Sequence, residues 1–427
     1  MDHAMSWRKL QDLPWASPLD VAARFAGRDI ALLYSGLREK FSGRFSYLLT
    51  DPLEEISGDN WGQLPTLPAS GEALPLWIGY LGYGMREEQK RAVPSPISLP
   101  DFRLVRYATL HRFDHESETV EIFTQSDALE QSTENPSKNI PISVAALHST
   151  LTKTQYQSIV ADTIEQIRAG NFYQANITRK FYGEFAETPD SWQLFAKLAE
   201  ASPAPYSAYI AHGGTAILSS SPECFLSIDA SGTMTTRPIK GSARRSEDET
   251  TDANICAQLQ SSAKNHAENL MIVDLMRNDL SRVSEPGSVE VMEQSALYSY
   301  RTIHHLISTI RAQKRRGISA YDAVRACFPA GSMTGAPKRA AIDWCSTVEP
   351  MERGVYSGAI GWFGAGETCD LSVTIRTLIL DGNRFEFQVG GGIVADSTPE
   401  EEWRETIAKA RGILAALGLS ESDLEKL

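Results

Sequence analysis

The chain has 427 residues, 42% of them hydrophobic and 22% charged, and 54 acidic against 41 basic residues leave a net charge of −13. That length allows a large core and more than one domain-sized unit, while the acidic balance argues against nucleic acid or an anionic membrane as partner, because both demand a basic face. No apolar run approaches the ~20 residues of a membrane span, Met1 to Arg8 lack the basic and apolar stretches of a signal peptide, and five dispersed cysteines (Cys224, Cys256, Cys327, Cys345, Cys369) without a CxxC pair read as reduced thiols of a cytoplasmic protein.

In chain order, residues 30–36 and 45–49 read as strands, and 77–84 alternate small and large residues like a closely packed strand. Residues 107–114 and 119–123 predict a hairpin. Residues 126–150 are polar and form the best linker candidate, dividing a strand-rich N-terminal region (1–150) from a second region (151–427). Tyr156, Ile159, Val160, Ile164 and Ile167 keep helical spacing up to Gly170, a C-cap candidate. A strand over 173–181, an amphipathic stretch over 191–200, and strands over 206–212 and 215–219 follow. Further strands are predicted at 224–228 and 233–236, and helices at 262–276 and 335–347. Thr398-Pro399-Glu400-Glu401 marks the start of a last helix, with a capping threonine and proline at the first helical position. Hairpins and helices in uneven order indicate an α+β fold.

Lys240 stands in Arg237-Pro238-Ile239-Lys240-Gly241, at the predicted end of a strand. An amine aimed into a closed pocket loses hydration, its pKa falls and it becomes a nucleophile; on the surface it is only a solvated charge. Glu223, in Ser221-Pro222-Glu223, is a candidate acid. Glu402 and Glu405 share one helix face, either as a solvated acidic face with a Glu405–Lys409 ion pair or as hard-oxygen ligands for magnesium, to which Glu268 would add a carboxylate. Asp274 and Asp279 read as structural. Gly390-Gly391-Gly392 forms either a bulge or a backbone nest for an anion, and Gly331 to Lys338 is another candidate anion-facing helix start. Arg376, on a predicted apolar strand, needs a carboxylate from protein or ligand. His305 is either a satisfied core histidine or a catalyst. The set suggests a small dicarboxylate substrate.

These motifs together resemble the chorismate-utilising enzymes, and among them the aminodeoxychorismate synthase component I branch. The shared stretches include Phe172 to Asn176, Ser221-Pro222-Glu223, Arg237 to Gly241, Ala267 to Asp279, Gly335 to Lys338, Ile375-Arg376-Thr377, Gly390 to Ser397 and Glu405-Thr406. The resemblance implies two large antiparallel sheets packed face to face, with helices outside and the site between them. It implies Mg2+ on Glu268 and Glu405 with Glu402 in support, and a substrate-binding set of Arg376, Tyr356, Thr374, Lys338, Gly390, Gly391 and Gly392. His305 falls near the departing C4 hydroxyl, Glu223 is the general acid and Lys240 the covalent nucleophile. Anthranilate synthases usually carry Pro-Ile-Ala-Gly where this chain has Lys240, and isochorismate and salicylate synthases carry a lysine where it has Gln174. The implied reaction is a transfer: chorismate and ammonia give 4-amino-4-deoxychorismate, for 4-aminobenzoate and folate biosynthesis. The chain contains no glutaminase sequence, so ammonia is expected from a separate glutamine amidotransferase subunit or from solution, and aromatisation from a separate lyase. Asn265 departs from the glutamate that anthranilate synthases carry one turn before Glu268. Leu32 to Gly36, with Ser35, resembles a segment where relatives bind tryptophan. Anthranilate synthase component I and a non-catalytic tryptophan- or partner-binding relative are the alternatives.

Overall fold

The computed structural model describes residues 6–37, 43–88, 93–125, 141–301 and 303–427. Alternation along its strands sorts side chains to two faces. In Ile30–Tyr34, Ile30 and Leu32 enter one apolar cluster and Ala31 another; Ile217 and Ile379 likewise face away from Leu218 and Leu378. Such two-sided burial identifies interior strands.

Pairing between the strands is antiparallel throughout the described residues. One sheet runs from Arg8–Pro14 through Thr119–Thr124, Phe102–Asp114, Phe45–Gly58, Ile30–Tyr34, Tyr206–His212, Thr215–Ser221, Thr377–Asp381 and Arg384–Ile393 to Gln174–Phe185 and Val144–Ser149. The other branches from Phe102–Asp114 to Pro75–Leu81, Ala359–Gly364, Thr368–Val373, Cys224–Ile228, Thr233–Arg237 and Ile303–Gln313. That last strand also pairs with Ile239–Arg244 and Glu290–Ser299. An apolar layer including Ala31, Ile78, Ile210, Ile217, Ile360 and Ile379 lies between the sheets. Helices Ser191–Ala201 and Pro399–Leu417 cover the outer face of the first sheet, and helices Ala263–Ser281 and Ala320–Cys327 that of the second. This is the expected α+β architecture of two facing sheets with helices outside.

Two neighbouring chain segments cross from one sheet to the other at the same place. Thr215–Ser221 pairs with Thr377–Asp381 in the first sheet, and their sequence neighbours Cys224–Ile228 and Thr368–Val373 pair in the second. The crossovers are Pro222-Glu223 and Thr374-Ile375-Arg376. They are bridged by Ser220 N–H to the Arg376 carbonyl at 3.1 Å and Val373 N–H to the Glu223 carbonyl at 3.0 Å. Arg376 has φ 51°, a left-handed conformation that costs a non-glycine residue about 1–3 kcal/mol. It therefore sits at a sheet junction, not within the strand expected from its apolar neighbours.

Three other expectations change. The chain continues beyond Lys240 as the strand Ile239–Arg244 instead of ending there. Gly335-Ala336 is a short strand paired with Ala175 and Gln174, and the helix begins at Lys338. Residues 126–140 of the linker candidate lie outside the described residues, and Val144–Ser149 is a strand on Gln174–Phe185. The helix predicted up to Gly170 is present as Lys153–Arg168, capped by Thr152 and followed by Gly170 at φ 81°. No described helix is long and apolar enough to cross a membrane.

Buried ion pairs pin the centre. Arg353, 1% exposed, pairs with Glu349 at 2.6 Å and donates to the Met333 and Asn176 carbonyls, each at 2.8 Å. Lys180 and Glu386, diagonal to each other on adjacent strands, meet at 3.0 Å. Removing one partner of such a pair strands the other charge without water. Arg353→Met is expected to destabilise the fold by about 3–5 kcal/mol, read as a lower midpoint in chemical denaturation; an unchanged midpoint would refute this role.

Candidate active site

Lys240 owes its position to a strand irregularity. Ile239 pairs with Ile307 and Ser242 with His305, so one extra residue bulges at Lys240-Gly241. Gly241 turns through φ 92°, and a methyl there would lie 3.2 Å from Asn265 and Leu306 side-chain atoms. Asn265, the departure from the family pattern, thus packs behind the bulge. Ser242 Oγ lies 2.6 Å from His305 Nδ1.

Opposite stands the glycine run, which is neither a nest nor a bulge. Gly390, Gly391 and Gly392 continue the strand Arg384–Ile393 in register with Thr178, Ile177 and Asn176. Beyond Phe387 the other edge of that strand has no strand partner among the described residues. The glycines serve close approach. A methyl on Gly392 would lie 2.2 Å from Gln174 Nε2 and 3.2 Å from Lys240 Nζ, and one on Gly391 2.5 Å from Glu402 Oε2. A small residue is required where an amine, an amide and a carboxylate crowd one backbone.

The carboxylates come from two helices. Glu268 lies on Ala263–Ser281, and Glu402 and Glu405 on Pro399–Leu417. Arg179 holds the second helix down: its guanidinium stacks 3.6 Å from the Trp403 ring centre and its Nε donates to Thr406 Oγ1 at 3.1 Å. Glu402 accepts from Ser397 Oγ at 2.6 Å through Oε1, while its buried Oε2 has no hydrogen-bond partner among the described residues. Glu405, its side chain 48% exposed, pairs with Lys409 at 2.6 Å, so the predicted ion pair exists.

Electrostatics tie these groups into one site. Burial lowers the pKa of Lys240, although Glu268, Glu223 and Glu405 oppose the shift. The amine keeps some access to solvent, but its surroundings strip most of its hydration. Burial pushes Glu223 up to about 7, against the pull of a Ser332 hydrogen bond and of Lys240. Burial, then the neighbouring Glu405, raises Glu402 to about 7; burial raises Glu268, and Lys409 lowers Glu405. Burial and then Arg376 hold His305 down at about 3, leaving it neutral. Arg376 is itself lowered by burial, with Glu223 acting against the shift. The sheet junction thus brings Glu223 and Arg376 near each other and near Lys240 and His305.

Other expected residues have different surroundings. Lys338 spends its ammonium on Asp279 at 2.6 Å and on the Cys327 and Pro329 carbonyls, each at 2.7 Å. With three donors committed it buttresses Asp279, which also binds Arg282, and is not free for a substrate. Neither Lys338 nor the Gly335-Ala336 strand makes the expected anion-facing helix start. Asp274 pairs with Arg277, a structural role as expected. Tyr356 is buried beside Arg353 and Glu349, and its neighbour Ser357 donates through its N–H to the Thr374 carbonyl at 2.9 Å. Thr374 is fully buried and its Oγ1 has no partner among the described residues. Ser35 donates to the Phe45 carbonyl at 2.8 Å and lines a separate cavity of about 220 Å³ with Tyr206, Trp362 and Asp370. Ser242, Ser332 and Ser397, which orient His305, Glu223 and Glu402, carried no signal in the sequence, because serine is common and only the fold brings them close.

A magnesium ion fits the donor set in kind: three carboxylates, one with a buried oxygen that has no partner among the described residues. Their oxygens are not gathered within 4.8 Å of one another; among the described residues only Asp252, Cys256 and His304 converge so closely. Ligation by Glu405 would loosen its Lys409 pair.

Residues 25–415 match the model of the chorismate binding enzyme family. Aminodeoxychorismate synthase component 1 of Escherichia coli is 38% identical over 96% of this chain and 94% of its own length. Anthranilate synthase component 1 of Pseudomonas aeruginosa is 32% identical over 85% of this chain and 79% of its own. The crystal structure of anthranilate synthase component I from Streptococcus pneumoniae superposes with a TM-score of 0.76 at 28% identity, covering 88% of this chain and 93% of that one. Over most of its length the chain therefore matches enzymes that use chorismate, and it belongs to the chorismate binding enzyme family.

Proposed function

We propose that this protein aminates chorismate at C4 to give 4-amino-4-deoxychorismate, taking ammonia released from glutamine by a separate amidotransferase subunit. The observation that carries the reading is the pairing of a lysine biased toward its neutral form with a glutamic acid held near pH 7 as a proton donor. The 38% identity to a relative named as aminodeoxychorismate synthase component 1 supports the choice of reaction. On this reading residues 151–427 carry the catalytic part and residues 1–150 brace it.

Neutral Lys240 attacks C2 of chorismate, the ring double bonds shift, and the C4–O bond breaks as Glu223 delivers its proton, so the hydroxyl leaves as water. Ammonia then adds at C4, the double bonds shift back, and the Lys240 amine leaves C2. The sum is chorismate plus ammonia to aminodeoxychorismate plus water. Neutral His305, held by Ser242, contacts the C4 hydroxyl. Arg376 takes the enolpyruvyl carboxylate with Tyr356, Thr374 and the Gly390–Gly392 backbone around it. Glu268 and Glu405, with Glu402 behind them, would hold Mg2+, which supplies a cationic anchor for the ring carboxylate. For the cavity lined by Ser35, tryptophan is the occupant that the family resemblance supplies.

Lys240→Ala should lower turnover with ammonium by about 100-fold or more, with an unchanged circular dichroism spectrum and no mass adduct on the chain after chorismate trapping. Wild-type turnover in that variant would eliminate the covalent role, and release of anthranilate without a lyase would redirect the reading to anthranilate synthase. The variant should also be no less stable. A lysine whose folded pKa lies below its unfolded one opposes folding fully below the folded value, and the penalty fades as pH rises to the unfolded one.

Glu223 must be protonated to act. At fixed free ammonia, the wild-type rate should fall above pH ~7 by about tenfold per pH unit, while Glu223→Gln, roughly 10²–10⁴ slower, should show no such limb. A flat wild-type profile would exclude Glu223 as the acid. Glu268→Gln should weaken Mg2+ binding in a calorimetric titration by at least about tenfold, and an unchanged isotherm would contradict its place as a ligand.

A further inference from the structure

Outside the Lys240 cleft, three metal-ligating groups of different chemistry converge. Asp252 and Cys256 stand one helical turn apart on Glu249–Ser261 and share a face. His304 projects from Ile303–Gln313, the residue before His305 and on the opposite face of that strand. His304 Nε2 lies 3.0 Å from Asp252 Oδ1 and 3.3 Å from Cys256 Sγ, and all three ligand atoms fall within 4.8 Å of one another.

We propose that Asp252, Cys256 and His304 form a binding site for a borderline-soft divalent cation of the Zn2+ class, distinct from the carboxylate site in the cleft. Zinc bonds of about 2.0–2.3 Å in a tetrahedral shell place donor atoms about 3.3–3.8 Å apart, so the two spacings to His304 need to open by only a few tenths of an ångström, and the Asp252–Cys256 spacing lies within 4.8 Å. A thiolate and an imidazole select zinc-like ions over magnesium, which prefers oxygen alone.

The surroundings orient each ligand. His304 Nδ1 meets Ser299 Oγ at 2.8 Å, which turns Nε2 toward the other two donors. Arg245 grips the far oxygen of Asp252 with bonds of 3.0 and 2.7 Å, and the Ser246 N–H reaches Oδ1 at 3.0 Å. His304 and Asp252 are buried, whereas Cys256 is half-exposed, so ion and water have an entry on that side. The remaining cysteines are all buried. Binding forms one metal–sulfur, one metal–nitrogen and one metal–oxygen bond. The Cys256 thiol proton and any proton on His304 Nε2 pass to solvent, and a water fills the fourth position. The ion clamps the 249–261 helix onto the strand that carries His305.

Titration of the full chain with Co2+ tests the site. A near-ultraviolet thiolate-to-cobalt band should saturate at one equivalent, vanish in Cys256→Ser, be bleached by Zn2+ and be insensitive to Mg2+. An oxygen-only site gives no such band. Its absence from the wild type, or its persistence in Cys256→Ser, overturns the proposal. A second measurement needs no variant: Zn2+ should slow iodoacetamide labelling of Cys256, followed by peptide mass spectrometry, by at least about tenfold, and an unchanged labelling rate counts equally against the site.

Discussion

Crowding the Lys240 amine among several carboxylates, of which Glu223 and Glu402 are buried, is the constraint on which the rest depends. Each group is expensive to ionise alone in such a place. Lys240 falls toward neutrality, Glu223 and Glu402 rise toward pH 7, and only Glu405, in contact with Lys409, is driven the other way. On the proposed reaction, a nucleophile and an acid need those opposite shifts, and the cost of desolvation would also be the source of reactivity.

The sheets exist in the form that maintains this crowding. Two adjacent chain segments cross between sheets at Glu223 and Arg376, and the bridging backbone hydrogen bonds keep the crossing in register. Buried pairs Arg353–Glu349 and Lys180–Glu386 tie the strands behind the glycine floor. Arg179 against Trp403 sets the helix that carries Glu402 and Glu405. None of these groups belongs to the reacting set, yet a shift in any of them moves a charge that has little solvent to screen it.

On the proposed reading, the choice of reaction within this family would rest on few positions. Lys240 lies close to the backbone at Gly392, and Gln174 fills the space beside it with an amide. An alanine at 240 would leave the acid and the carboxylate clamps in place and remove the amine. Relatives can therefore keep one fold and one substrate and differ in which bond they make.

Much of the fold was readable along the chain. Helical spacing up to Gly170, the Thr398 cap and the 107–123 hairpin are local signals, governed by residues a few positions apart, and the structure contains each of them. The ordered motifs identified the family, and with it the facing sheets, because such a set survives only where the fold does. The errors have a common cause. Apolar flanks suggest a strand for Arg376 and glycine content suggests a bulge or a nest at Gly390–Gly392, because neither reports strand partners. The family resemblance puts Lys338 in the substrate-binding set, whereas the fold brings Asp279 within 2.6 Å of it, a contact that its sequence neighbours do not report. The sequence by itself determined the locally signalled elements, the family and the chemical types of the candidate site residues, since these follow from local spacing and residue identity. Only the tertiary structure decided that Lys240 rides a bulge, that Glu223 and Arg376 share a sheet junction, and that Asp252, Cys256 and His304 meet. Those arrangements depend on register between distant strands and on how much water each group loses, and neither is written in the spacing of one chain segment.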